Sequence, residues 1–318
     1  MFTRLPFTNK AIAFFKKSKN QNFDVFSGYA WHVPGVSGMF GLLGWLLVGG
    51  ILGSIVTLVF MGLMPGAGEE YATLISYPLM FLPAMIASKH ISNRNMLFDN
   101  GYAIDSNNFG RLGGWGVALL CMLATFAAAF CMDAVNAQMP DMPEWLENAL
   151  NSMTQGTFWV NFLAVSIFAP IFEEWLCRGM VLRGLLNYQK ADGTRGLKPV
   201  WAIVISAAFF AIIHMNPWQA IPAFALGLLF GYVYYKTGSL KLTMLMHFTN
   251  NTAALLLSQF ANLDTVESWL DLMPLPVYII LAVMFLAFLY WFVKELGKIQ
   301  QPRPQGNSDE IPVASELS

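Results

Sequence analysis

Apolar residues in this chain come in blocks of about 18 to 25, too long for strands and without the polar stripe of a surface helix. Eight such blocks, at roughly 39–63, 72–88, 115–132, 157–182, 199–215, 219–235, 240–257 and 276–293, predict helices. At 1.5 Å per residue, about 20 residues cross a hydrocarbon core of about 30 Å. The expected fold class is therefore all-α, a polytopic membrane protein with about eight transmembrane helices forming a bundle.

Smaller signals refine that outline. Gly49 and Gly53 in the first block, and Gly227 and Gly231 in the sixth, are spaced four apart and let helices approach closely. Two loops read as short interfacial helices: Asp141 caps a turn with Glu144, Trp145, Leu146, Ala149 and Leu150, and Asp264 starts a second with Glu267, Trp269 and Leu270. The organisation expected is a basic N-terminal segment over 1–38, a membrane domain over 39–296 and a disordered tail over 297–318, with Pro302, Pro304 and Gly306. The first 37 residues hold no apolar core of the signal-peptide kind, so the first span is expected to serve as the targeting signal.

Composition agrees with a membrane solvent, at 56% hydrophobic and 12% charged. A net charge of -1 supplies no basic field for a nucleic-acid partner. Cys121, Cys131 and Cys177 are odd in number and sit in or at the ends of apolar blocks, against a disulfide framework.

Charge distribution says more than its sum. With the N-terminus cytoplasmic, all 18 Lys and Arg fall on the inner side. The outer loops hold Glu69, Glu70, Asp133, Asp141, Glu144, Glu147, Asp264, Glu267 and Asp271. That partition predicts an integral, multi-pass protein with both termini cytoplasmic. Arg183, Lys190, Arg195 and Lys198 make a loop suited to anionic lipid.

Ionisable groups cost several kcal/mol at membrane depth, so a cluster of them needs a reason. Glu173, Glu174 and Arg178 lie in the fourth block, Phe210 and His214 in the fifth, His247 and Asn251 in the seventh. Glu174 and Arg178, four apart with the acid first, form a favourable helical ion pair. Glu173 points about 100° away without a local cation, the setting of a general base. His247 and Asn251 share a helical face and can donate to one small volume, as an oxyanion hole requires. His214 can share a water with Glu173 or protonate a leaving amine, while Asn216 is a candidate for the rim and Phe210 for packing. Depth counting puts His214 near the outer end of its span, Glu173 mid-membrane and His247 nearer the inner side.

The ordered motifs EExxxR, FxxxH and HxxxN resemble those of the CAAX proteases and bacteriocin-processing enzymes, the CPBP or Abi-type family, over about residues 157–257. The resemblance implies a type II CAAX prenyl protease-like intramembrane endopeptidase, an eight-helix bundle with an intramembrane cavity opening to the cytoplasm. It implies cleavage of a membrane-tethered peptide or protein. Eukaryotic relatives remove the last three residues of prenylated proteins. Carried over, Glu173 and His214 activate water, His247 and Asn251 stabilise the oxyanion, and Glu174 with Arg178 braces the site. The alternative is a non-proteolytic binding or bacteriocin-immunity factor that keeps the motifs. No cofactor is required on this reading. Were a divalent metal such as zinc involved, its ligands would be Glu173, His214 and His247.

Overall fold

The computed structural model describes residues 31–64, 68–94, 104–106, 108–154, 157–188, 196–260 and 268–300. Among them there is no strand. In chain order the helices are α1 (Val36–Leu63), α2 (Gly68–Arg94), α3 (Gly113–Asn136), α4 (Glu144–Thr154), α5 (Phe158–Leu186), α6 (Pro199–Ile212), α7 (Pro217–Thr237), α8 (Leu240–Phe260), α9 (Trp269–Leu272) and α10 (Leu275–Gly297).

A helix falls on each of the eight predicted blocks. Among the described residues, α1, α2, α3, α5 and α10 are each long and apolar enough to cross a bilayer. Helix α6 has 14 residues, about 21 Å of rise. Helices α7 and α8 have 21 residues each, with polar side chains breaking their apolar runs. A count of eight crossing helices therefore rests on the sequence pattern, and the three remaining helices include α6 with Phe210 and α8 with His247 and Asn251.

The glycine pairs do what their spacing predicts. A Cβ on Gly49 would fall on the Met80 carbonyl, and one on Gly53 would sit 3.0 Å from the Ser76 carbonyl oxygen. The backbones of α1 and α2 thus touch where only glycine fits. Gly227 lies against Ala207 of α6, and Gly231 against Ile203.

Contacts at the helix ends sort into two groups, one at each end of the bundle. At one end, Asp133 accepts from Ser268 Oγ at 2.7 Å and from the Trp269 amide at 3.1 Å, and Trp218 Nε1 donates to the Pro140 carbonyl. At the other, Asp105 accepts from the Leu240 amide and pairs with Lys241 Nζ, both at 2.6 Å, so a residue from a distant loop caps α8. There too Lys236 donates to the Gly297 carbonyl at 3.0 Å. The ends alternate as successive helices traversing up and down require.

Two expectations change. Helix α4 starts at Glu144 under the Pro143 carbonyl, which accepts from the Leu146 and Glu147 amides, so Asp141 is not its cap. Helix α9 is a single turn capped by Ser268, whose own amide donates in return to the Asp271 carboxylate, while Asp264 and Glu267 lie outside the described residues. Arg178, paired with Glu174 as their spacing predicts, is buried within α5. The end of the N-terminal segment is packed: Arg183 donates to the Trp31 carbonyl at 3.0 Å, and Trp31 sets its edge on Trp175. Residues 1–30, the tail from 301, and Lys190 and Arg195 lie outside the described residues.

Candidate active site

Helix α5 is not regular. It is α-helical over Phe158–Asn161, π over Phe162–Phe168, α over Ala169–Glu174, π over Trp175–Leu182 and α again over Arg183–Leu186. π turns are rare and frequent at functional sites, and here one has a traceable consequence. The Ala169 amide reaches back five residues to the Ala164 carbonyl. The Val165 carbonyl would next take the amide of residue 170, but Pro170 has no N–H. Asn251 Nδ2 of α8 donates to that orphan carbonyl at 2.9 Å. Asn250 in turn donates to Asn251 Oδ1 at 3.2 Å. Asn251 therefore stitches α8 to α5 with one of its two amide hydrogens.

The second π segment begins directly after Glu174. Arg178 Nη1 donates to Glu174 Oε1 at 2.6 Å, and Nη2 donates to the Gly227 carbonyl at 3.2 Å. Both members of the pair are fully buried. The guanidinium lies 4.6 Å from the Phe210 ring centroid and 5.3 Å from that of Phe230, so aromatic faces from α6 and α7 complete the shell of a cation with no access to water.

His247 of α8 reaches the same carboxylate, with Nδ1 3.1 Å from Glu174 Oε1. A carboxylate accepts, so Nδ1 carries the proton and Nε2 is turned the other way. That way lies Glu173, whose Oε2 is 3.9 Å from His247 Nε2. Glu173 Oε2 has no hydrogen-bond partner among the described residues. Its other oxygen, Oε1, accepts a hydrogen bond from the Tyr77 hydroxyl of α2. The Glu173 side chain keeps 14% of its surface exposed, against none for Glu174. Glu174 is thus ion-paired to Arg178 and sealed, while Glu173 has no such cation and its buried Oε2 faces His247.

His214 sits at the turn that ends α6. There the chain tightens, and the His214 amide bonds the Ala211 carbonyl three residues back. That leaves the Phe210 carbonyl without its usual i+4 donor, and His214 Nδ1 takes the place at 2.8 Å. Since a carbonyl only accepts, Nδ1 holds the proton and Nε2 carries the lone pair. Phe210 stands between the two histidines, edge-on to both, with centroids 5.0 Å from His214 and 5.5 Å from His247. Phe210 is thus more than a packing residue on one face. It spaces His214 from His247 and faces Arg178.

The separation in depth inferred from sequence is therefore largely closed for His247 and only partly for His214. Glu173, Glu174, Arg178, Phe210 and His247 are brought together, whereas His214 makes no hydrogen bond or ion pair with Glu173. The set Glu173, His214 and His247 does not converge on one point, and among the described residues no three His, Cys, Asp or Glu side chains group as metal ligands do. Asn216 caps α7, accepting from the Gln219 amide at 2.9 Å and donating to the His214 carbonyl at 2.9 Å; it fixes the corner after His214. Tyr77 and Phe230 carry no sequence signal that marks them, and the spacing of Gly227 marks it for helix packing, not for the carbonyl it lends to Arg178. Each is identified only by which helix packs against which.

No curated protein and no solved structure matches the chain. The family model described as type II CAAX prenyl endopeptidase Rce1-like matches residues 155–253, the segment that holds every motif residue from Glu173 to Asn251 and leaves out Tyr77. The chain is an integral membrane protein whose residues 155–253 match the Rce1-like family of CAAX protease-like endopeptidases.

Proposed function

We propose that this protein is an intramembrane endopeptidase that hydrolyses a peptide bond of a membrane-tethered protein or peptide, with Glu173 as general base. The observation that carries this reading is the facing pair Glu173 Oε2 and His247 Nε2, 3.9 Å apart. At that separation one water can hydrogen-bond to both. Glu173 takes a proton from that water as its oxygen adds to the carbonyl carbon. The proton then passes to the leaving nitrogen as the C–N bond breaks, so nothing beyond water is consumed. His214, with its lone pair on Nε2, is the second proton carrier at the end of α6. The remaining amide hydrogen of Asn251 donates to the oxyanion, with His247, held by Glu174, as the second residue beside it.

Glu174 and Arg178 hold His247 in one tautomer and serve as the brace. We propose that a metal is not a reactant, because a buried glutamate and a histidine suffice to activate water. Chelators should leave cleavage intact; stoichiometric zinc lost and restored together with activity would overturn that. We also propose that both termini face the cytoplasm. Cysteines introduced beside Asp141 should label from outside and those beside Lys190 should not.

The direct test is to reconstitute the protein in vesicles with a lipid-anchored peptide and identify products by mass spectrometry. Wild-type protein should release a defined fragment, and Glu173→Gln should release none while inserting normally. Release of the same fragment at the wild-type rate by Glu173→Gln would remove Glu173 from the chemistry and favour a binding or immunity role.

A further inference from the structure

We infer that Tyr77, on a helix outside the matched family segment, is a positioning residue for Glu173 and selects which of its two oxygens acts. The inference rests on the role proposed above for Glu173. A free carboxylate on a helix turns about its terminal bond and presents either oxygen. Here Tyr77 donates its hydroxyl to Oε1, so Oε2 is left to face His247. The donor is a neutral phenol, and that is the difference between the adjacent glutamates. Arg178 neutralises Glu174 with a full charge, whereas Tyr77 orients Glu173 and leaves its negative charge uncompensated.

Tyr77 is itself held from both sides. Its ring packs 5.6 Å from Phe81, which stacks at 5.3 Å on Phe172, the residue before Glu173. Behind it, α1 meets α2 along Ser76 and Met80 through Gly53 and Gly49, so the α2 backbone flanking Tyr77 is fixed on the α1 side. Pro78 follows Tyr77 within α2 and cannot donate to the carbonyl four residues back, which loosens the turn on which the phenol sits. The glycine contacts and the aromatic stack flank the segment from which one hydroxyl meets one carboxylate oxygen.

The test compares wild-type protein, Tyr77→Phe and Glu173→Gln in the vesicle cleavage assay, with thermal unfolding in detergent and the infrared carboxylate stretch of Glu173. That band is isolated as the difference between wild type and Glu173→Gln. Removing the hydroxyl should lower kcat by about ten- to a hundredfold, as misplacement of a reacting group does. KM and the unfolding temperature should hold, and the Glu173 band should shift. Wild-type kcat in Tyr77→Phe, with Glu173→Gln inactive, would overturn the inference and leave the Glu173 reading standing. A fall in kcat matched by a fall in unfolding temperature, with no band shift, would make Tyr77 a structural strut and also overturn it. Full activity in Glu173→Gln would remove the reading on which the inference depends.

Discussion

Helix α5 and the outer helices α1 and α10 are all long enough to span a membrane, and they solve different problems. In α1 and α10 only 11% of the most apolar stretch is buried in protein; in α5 the figure is 56%. Residues such as Leu47, Ile51 and Ile280 of the outer helices face outward with more than half of their surface open. For them the requirement is to be apolar. Helix α5 has protein on most sides and can therefore hold Glu174 and Arg178 at no exposure at all, since Phe210, Phe230, Gly227 and His247 replace water around them. Of the five long apolar helices, the one that carries the ionisable cluster is the one most enclosed by protein.

The sharpest way to break that comparison is Arg178→Ala. It strands a buried carboxylate and should cost about 3 to 5 kcal/mol, read as a large fall in unfolding temperature in detergent with loss of cleavage. A small effect would mean that water reaches the pair and that α5 is less enclosed than its burial indicates.

The contrast between these helices also explains what the sequence discloses. Hydropathy alone marks α1 and α10, because a lipid-facing helix needs little else. Glu174 with Arg178 is legible because both lie on one helix four residues apart, and so are the glycine pairs. The π turns of α5 are not legible: they depend on which amide reaches which carbonyl, and the clue at Pro170 means something only once Ala169 is known to bond Ala164. For the same reason Asn251 reads from sequence as an oxyanion donor, while in the fold it also closes the Val165 carbonyl. Tyr77 lies 96 residues from Glu173, and nothing in its own surroundings points across that distance.

Smaller effects sharpen the picture. Gly49→Leu should force α1 from α2 at Met80 and cost about 3 kcal/mol, at the upper end for overpacking. Gly50→Leu, where no atom lies within 4 Å of an added Cβ, should be silent. Unfolding curves of the two side by side decide whether the α1–α2 contact is made as described. Asn251→Ala should cost about 1 to 3 kcal/mol by leaving the Val165 carbonyl unpaired; an unchanged unfolding temperature would return Asn251 to a purely catalytic role. Leu47→Ala, on the lipid face, should change stability by no more than about 0.5 kcal/mol, and a loss above that would reveal a protein contact on α1.

The central claim is that neighbouring glutamates on one helix have different work, Glu173 the chemistry and Glu174 the brace. The measurement that tests it most directly sets Glu173→Gln beside Glu174→Gln, recording unfolding temperature in detergent and the cleavage rate of a membrane-tethered peptide for each. Glu173→Gln should unfold at the wild-type temperature and not cleave, because an amide of nearly the same shape cannot take the proton from water. Glu174→Gln should lose stability and activity together, because Arg178 and His247 lose their shared anion. Cleavage at the wild-type rate by Glu173→Gln, or a stable and inactive Glu174→Gln beside it, would contradict the account.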